Sequence, residues 1–293
     1  MLDVAIILNP GSGGANGDQT ASRLIELFAA RGREATILAA DGRRSVADQA
    51  RRAVKEGCRV AVAAGGDGTV NAVAAAVAGT KIPLGVLPVG TLNHFAKDLG
   101  LPLELEEAVR VAAEGAVRQV DVAEVNGRVF VNNSSLGVYP RIVALRQRSG
   151  ARGWGKWLAG LWATVAVLRR RPFMAVRIRI DDETVVRRTP FVFVGNNEYK
   201  MAGLDAGVRE SLTGGRLALY VMHATRRRSL LLLGWKVVWR GGDQVDELDC
   251  FPVQEAVVET RRRLPVALDG EVVPMDSPLR YRIRPLDLNV LAP

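Results

Sequence analysis

Cysteine and histidine are nearly missing from this 293-residue chain, which holds only Cys58, Cys250, His94 and His223. Two of each, so widely spaced, make neither a zinc pattern nor a disulfide framework, and a reducing, cytoplasmic setting is the default expectation. Long apolar runs are missing too. The longest, Trp157 to Leu168, falls short of the roughly 18 residues that a bilayer-spanning helix needs. No secretory signal is expected, because the first ten residues lead straight into a strand pattern. No Gly-x-x-x-x-Gly-Lys-Ser/Thr occurs, which excludes a Walker loop. Gly11-Ser12-Gly13-Gly14 starts like Gly-x-Gly-x-x-Gly but meets Asn16 at the last position, which argues against a nicotinamide cofactor. Internal repeats and low-complexity linkers are also absent.

What is present in excess is positive charge. The net charge is +9, and between Arg141 and Arg188 stand 12 basic and 3 acidic residues, a surplus equal to the whole. Such a concentration anticipates an anionic partner: nucleic acid, acidic phospholipid or a phosphorylated product. A solvated basic face is the plainer alternative. Lys156, Arg169-Arg170-Arg171 and Trp154, Trp157 and Trp162 accompany the 157–168 run, which suits either an interfacial helix or a buried helix. Aromatics and arginines are not interleaved on an evident stacking surface, so nucleic acid is the weakest of the three partners. Oligomeric state is not legible, and a homodimer stays open.

Apolar residues make up 48% and charged residues 24% of the chain, enough for one large domain or two ordinary ones. The first 122 residues alternate strand and helix patterns. Val4–Leu8, Glu34–Leu38, Arg59–Ala63 and Pro83–Leu87 read as strands. Helical spacing appears around 24–28, over 46–56, over 70–78 and over 104–113. This βαβα rhythm predicts an α/β domain with a mostly parallel sheet, whose ligands sit beyond the carboxyl ends of the strands. From about 123 to 293 the texture becomes β-rich. Val129–Asn132, Ala175–Ile180, Thr184–Arg187, Phe191–Val194, Leu217–Val221, Ala256–Glu259 and Val266–Leu268 read as strands of an antiparallel domain, and the last strand has the option of returning to the first domain.

Three turns at strand ends carry chemistry. Gly65-Gly66-Asp67-Gly68-Thr69-Val70-Asn71 follows an apolar strand and precedes a helix, so it offers backbone N–H groups to a phosphate. Glycine there anticipates positive φ angles and close approach of the anion. A carboxylate beside polyphosphate would repel it, so Asp67 is read as a Mg²⁺ ligand or as a brace of the loop. Asn9-Pro10-Gly11-Ser12-Gly13 adds amide and hydroxyl donors, or is only a strand-to-helix turn. Gly90-Thr91-Leu92-Asn93 adds Thr91 and Asn93 as partners for a nucleotide, whereas His94 suits packing better than catalysis. Near the C-terminus, Leu268-Asp269-Gly270-Glu271 places an acid on a tight turn, suited to accept a proton from an attacking hydroxyl. Asp-Gly is also a common plain turn.

These motifs, with Asn9-Pro10-x-Ser12-Gly13, Gly65-Gly66-Asp67-Gly68-Thr69-x-Asn71, Gly90-Thr91-x-Asn93-x-Phe95-Ala96 and Leu268-Asp269-Gly270-Glu271 in order, resemble the diacylglycerol kinase catalytic domain family. The resemblance covers essentially the whole chain and extends to sphingosine and ceramide kinases. It implies a nucleotide domain like that of NAD kinases and phosphofructokinases, then a β-sandwich with the lipid site. It implies ATP and Mg²⁺, Asp269 as base with Glu271 as a neighbouring candidate, and Asp67 with Asp121 in the metal network. Leu212-Thr213-Gly214-Gly215-Arg216-Leu217 departs from the family by lacking a carboxylate, which puts a structural Mg²⁺ there in doubt. Ala39-Ala40 also stands where a threonine is common. The implied reaction is transfer of a γ-phosphoryl group to a lipid hydroxyl at the inner membrane surface. A soluble acceptor such as NAD and a non-catalytic nucleotide-binding module are the rivals.

Overall fold

The computed structural model describes residues 2–10, 17–138, 140, 173–180, 183–200, 209–222 and 248–293. The expected 157–168 helix, Ser12, Gly13 and the basic residues of 141–172 lie outside these. The chain divides into two units. One comprises Met1–Val122, Arg128–Val131 and Arg284–Pro293, and the other Ala123–Gly127 and Asn132–Ile283.

The first unit runs β1 (Val4–Leu8), α1 (Gly17–Ala29), β2 (Ala35–Ala39), α2 (Val46–Lys55), β3 (Val60–Gly65), α3 (Asp67–Val77), β4 (Leu84–Pro88), α4 (His94–Asp98) and α5 (Leu105–Glu114). Its strands are parallel in the order β2-β1-β3-β4. Every residue of β1, β3 and β4 is buried, as expected of parallel strands covered on both faces. Leu24, Leu27 and Phe28 of α1 and Val109 and Ala112 of α5 pack onto Val4, Ile6, Val60 and Val62.

The helix starts differ in a way that matters for the site. Helix α2 is closed by a capping box: Ser45 Oγ accepts from Asp48 N at 3.2 Å while Ser45 N donates to Asp48 Oδ2 at 3.0 Å. Helix α3 begins behind Gly66, and no described side chain caps it. It also starts at Asp67 rather than at Val70, so Gly68 and Thr69 belong to its first turn instead of the preceding loop.

The second half is built from β5 (Ala116–Val125), β6 (Arg128–Phe130), β7 (Asn133–Gly137), β8 (Met174–Ile180), β9 (Glu183–Thr189), β10 (Phe191–Asn196), β11 (Leu217–Met222), β12 (Leu248–Val253), β13 (Glu255–Thr260), β14 (Leu264–Leu268), β15 (Glu271–Met275) and β16 (Leu279–Ala292). In the second unit, β12-β11-β10-β7-β14-β15 form an antiparallel sheet. The first part of β16 pairs antiparallel with β13, followed by β8 and β9. The final part of β16 lies in the first unit, where Val290 pairs parallel with Leu84. Alternation in β8 is as the sequence indicates: Val176 and Ile178 are buried, while Arg177 and Arg179 face outward toward Glu259 at 3.7 and 3.2 Å. The strand expected over Val129–Asn132 is β6, which ends at Phe130; Val131 and Asn132 lie between it and β7, which begins at Asn133. Among the described residues no helix is long and apolar enough to cross a membrane.

Candidate active site

Asn9, Gly66 and the 90–93 turn all follow the carboxyl ends of the neighbouring strands β1, β3 and β4, where parallel sheets bind ligands. Asn9 Nδ2 donates to Thr69 Oγ1 at 3.3 Å, and Asn9 N donates to Ala64 O at 3.2 Å. Thr69 is buried beneath the turn. A Cβ on Gly65 would fall 2.3 Å from Thr69 Oγ1. Gly65 is therefore demanded by Thr69, and Thr69 ties β1 to α3.

Gly66 and Gly90 answer to each other. A Cβ on Gly90 would lie 2.4 Å from Gly66 Cα and 2.8 Å from Asn93 Oδ1. The expectation of positive φ in these turns is corrected. Gly66 has φ −86°, and Gly65, Gly68 and Gly90 are not among the left-handed glycines. Close backbone approach is what excludes a side chain from Gly90. Asn93 does adopt φ +53°, and its Nδ2 donates to Pro88 O and Gly90 O, both at 3.0 Å. Asn93 thus closes its own loop with the donors expected to meet a nucleotide. Thr91 and Pro10 are exposed, as is His94, and Asn71 is half-buried on α3.

The two acids of the first unit are placed differently. Asp67 opens α3, and its buried Oδ1 has no hydrogen-bond partner among the described residues. A hard oxygen left unmatched at an uncapped helix start fits a Mg²⁺ ion, which takes one or two carboxylates and completes its shell with phosphate oxygens and water. Asp121, on β5, is buried, and its Oδ1 accepts from Leu286 N at 2.8 Å. Leu286 has φ +52° within β16, so Asp121 secures an irregular point of the returning strand. Asp67 Oδ1 is thus open to a metal, while Asp121 Oδ1 is already engaged by a backbone N–H. Among the described residues no three His, Cys, Asp or Glu cluster as a metal site.

In the second unit, Asp269 and Gly270 form the two-residue turn between β14 and β15, with φ of +45° and +86°. Both values are positive, as a tight hairpin of matching twist requires, and Asp tolerates this region better than most residues. Asp269 is buried, and its Oδ1 accepts from Asn132 N and Asn133 N, each at 2.9 Å. Its own N donates to Asn133 O at 2.9 Å. The carboxylate is held in one orientation from a neighbouring strand. Glu271, opposite Leu268, is exposed.

Sequence reading missed the residues around Asp269. After β10 the chain turns at Asn197, φ +70°, and brings Tyr199 back over Gly195, where a Cβ would meet the Tyr199 ring at 2.7 Å. Tyr199 packs edge-on to Phe193 with centroids 5.5 Å apart, and its hydroxyl donates to Asn132 O at 3.0 Å. Arg209, also buried, donates from Nη2 to Asn132 Oδ1 at 3.2 Å. Tyr220 OH accepts from Tyr199 N at 3.0 Å, and burial pushes the Tyr220 phenol upward, so it stays neutral. Asn196 closes β10 and Asn197 turns the chain after it.

Comparison with known proteins agrees with this architecture. The diacylglycerol kinase catalytic domain family matches residues 3–125, and the YegS C-terminal NAD kinase beta sandwich-like domain family matches residues 151–292. A YegS-like probable lipid kinase of Chromohalobacter salexigens is 31% identical over 76% of this chain and 72% of its own. An uncharacterized protein of Synechocystis is 27% identical over 85% of this chain, which spans 61% of that protein's length. A crystal structure of a diacylglycerol kinase from Bacillus anthracis shares the fold with a TM-score of 0.70 at 19% identity, covering 99% of this chain and 97% of that one. With both domain types in order and a lipid-kinase relative matched over most of its length, the chain belongs to the diacylglycerol kinase family of lipid kinases.

Proposed function

We propose that this chain transfers the γ-phosphoryl group of ATP to the hydroxyl of a lipid such as diacylglycerol, with a sphingoid base or ceramide as the alternative acceptor. The observation that carries the reading is Asp269, a buried carboxylate at positive φ fixed by two backbone N–H groups. A buried acid held in one orientation by backbone donors is positioned to accept a proton at a fixed point. Asp269 accepts the proton of the acceptor hydroxyl as its oxygen attacks the γ-phosphorus, while ADP leaves. The uncapped start of α3, with the bare backbone of Gly66 and Gly90, supports phosphate binding there. Asp67 would hold Mg²⁺, which when bound offsets negative charge on the transferring group. Asn9, Thr69 and Asn93 act as braces that keep these turns in place.

Arg177, Arg179, Arg187 and Arg188 are exposed on β8 and β9 and belong to the basic 141–188 segment. They favour peripheral docking on anionic phospholipid, at about 1 kcal/mol for each basic residue near the surface. Binding to anionic liposomes should fall as salt rises, and salt-insensitive binding would refute that docking.

The test is transfer of labelled γ-phosphate from ATP–Mg²⁺ to diacylglycerol, sphingosine, ceramide or a polyprenol in mixed micelles. NAD serves as the soluble control and Asp269→Asn runs in parallel. A labelled lipid that vanishes in the variant is expected. Labelled NAD alone, or ATP binding without any turnover, would overturn the reading.

A further inference from the structure

We propose that Arg209 is a positioning residue for Asp269, acting through Asn132; this rests on the reading of Asp269 as the base. Asn132 lies in the break between β6 and β7, outside both strands. Yet its N–H is one of the two that orient the Asp269 carboxylate. The other contacts of Asn132 bear on the direction of that N–H.

Those contacts enclose it. Its carbonyl accepts from Tyr199 OH at 3.0 Å and from Asn196 N at 2.9 Å. Its side-chain Oδ1 accepts from Arg209 Nη2 at 3.2 Å. Asn132 is 3% and Arg209 6% exposed, so water competes little for these bonds. A charged donor makes the Arg209 contact stronger than a neutral one would be. A buried guanidinium is a costly way to stabilise a fold, since apolar groups of similar volume often do as well or better. Here it immobilises one amide whose backbone aims the base. Tyr199 holds the next peptide, 132–133, from its carbonyl side, and the N–H of that peptide is the second donor to Asp269; the Tyr199 ring is itself seated against Phe193 and Gly195. A small tilt of the 131–132 peptide would rotate the carboxylate away from the acceptor hydroxyl. Misplacement of a reacting group by about 1 Å can reduce turnover about 100-fold.

The experiment measures kcat and KM with the full chain, ATP–Mg²⁺ and the panel lipid that accepts label, for Arg209→Gln, Arg209→Lys, Tyr199→Phe and Asp269→Asn. Arg209→Gln should lower kcat about 10- to 100-fold while KM for ATP stays within about twofold. Arg209→Lys keeps a charged donor and should recover part of that loss. Tyr199→Phe keeps the ring packing and should lower kcat about threefold or more. A merely structural Arg209 would lower the unfolding midpoint and leave kcat per folded molecule unchanged, which would overturn the proposal. Should Arg209→Gln fail to fold, wild-type kcat in both Arg209→Lys and Tyr199→Phe overturns it equally. Asp269→Asn separates the two levels. Activity retained in that variant sinks the base assignment, whereas its loss beside unchanged Arg209 and Tyr199 variants sinks the relay alone. No labelled lipid from the wild type would overturn both.

Discussion

The contact between Gly66 and Gly90 permits a sharp test, because it is asymmetric. A methyl on Gly90 would sit 2.4 Å from Gly66 Cα, 3.2 Å from Gly66 N and 2.8 Å from Asn93 Oδ1. Carbon atoms rest at about 3.5 Å or more, so the two turns would have to part by about 1 Å. The opposing atom is backbone, with no rotamer that could swing aside. Overpacking of this kind costs about 1–3 kcal/mol. A methyl on Gly66 instead meets Gly90 Cα at 3.6 Å, an ordinary contact, and φ of −86° suits any residue. Its cost is about 0.5 kcal/mol, the mild preference for glycine over alanine at a helix N-cap. Urea unfolding of Gly90→Ala and Gly66→Ala should therefore give clearly unequal losses of stability. Phosphate transfer reads the site separately: Gly90→Ala should lose up to about 100-fold in kcat/KM through displaced turns. A neutral Gly90→Ala, or a Gly66→Ala that destabilises as much, would refute the reasoning.

Three further outcomes follow from the same geometry. Gly65→Ala should cost about 1–3 kcal/mol, and adding Thr69→Ala should not relieve it, because the Thr69 Cβ itself lies 2.5 Å from the new methyl; urea midpoints of the single and double variants decide, and rescue would mean that the strain lies elsewhere. Asp67→Asn should abolish phosphate transfer at any Mg²⁺ concentration yet change stability by less than about 1 kcal/mol, since the carboxylate's main structural gain is the helix dipole; a larger loss on thermal unfolding would make Asp67 a brace. The Arg33 guanidinium, hydrogen-bonded to both Asp3 oxygens at 2.9 and 3.1 Å, holds the Asp3 carboxyl below its ordinary 3.8. A depressed folded pKa gives stability that is present above 3.8 and lost as pH falls through the lower folded value, so Asp3→Asn should cost about 1 kcal/mol at pH 7 and progressively less below pH 3.8. A gap between wild type and variant that stayed constant into acid would contradict it.

The sequence by itself determined the elements whose pattern is local. Val4–Leu8, Arg59–Ala63 and Pro83–Leu87 read as short apolar runs bounded by turn residues, and the strands form there, the latter two shifted slightly to Val60–Gly65 and Leu84–Pro88. Val176-Arg177-Ile178-Arg179-Ile180 shows its buried and exposed faces in its own spelling. The motifs around Asp67 and Asp269 were also legible, because turn chemistry is written in adjacent residues. Strands such as β15, with Pro274, and β16, with Pro285 and three arginines, carry weaker local signals; β15 is placed by its tight hairpin with β14, whereas the end of β16 pairs with β4, far along the chain.

Only the tertiary structure decided what each motif residue does. Asn132 and Asp269 are 137 positions apart, and Arg209 and Asn132 are 77 apart. No periodicity links such residues; they meet because β7 and β14 pair and because β10 ends in a turn that sends Tyr199 back over the sheet. The glycines make the same point. Their small size is visible in the sequence, but that Thr69 fills the space at Gly65 and that Gly66 closes on Gly90 depends on how β1, β3 and β4 stack their ends. Short-range order follows from side-chain pattern, whereas the orientation of a carboxylate is set by whichever distant backbone happens to be packed against it.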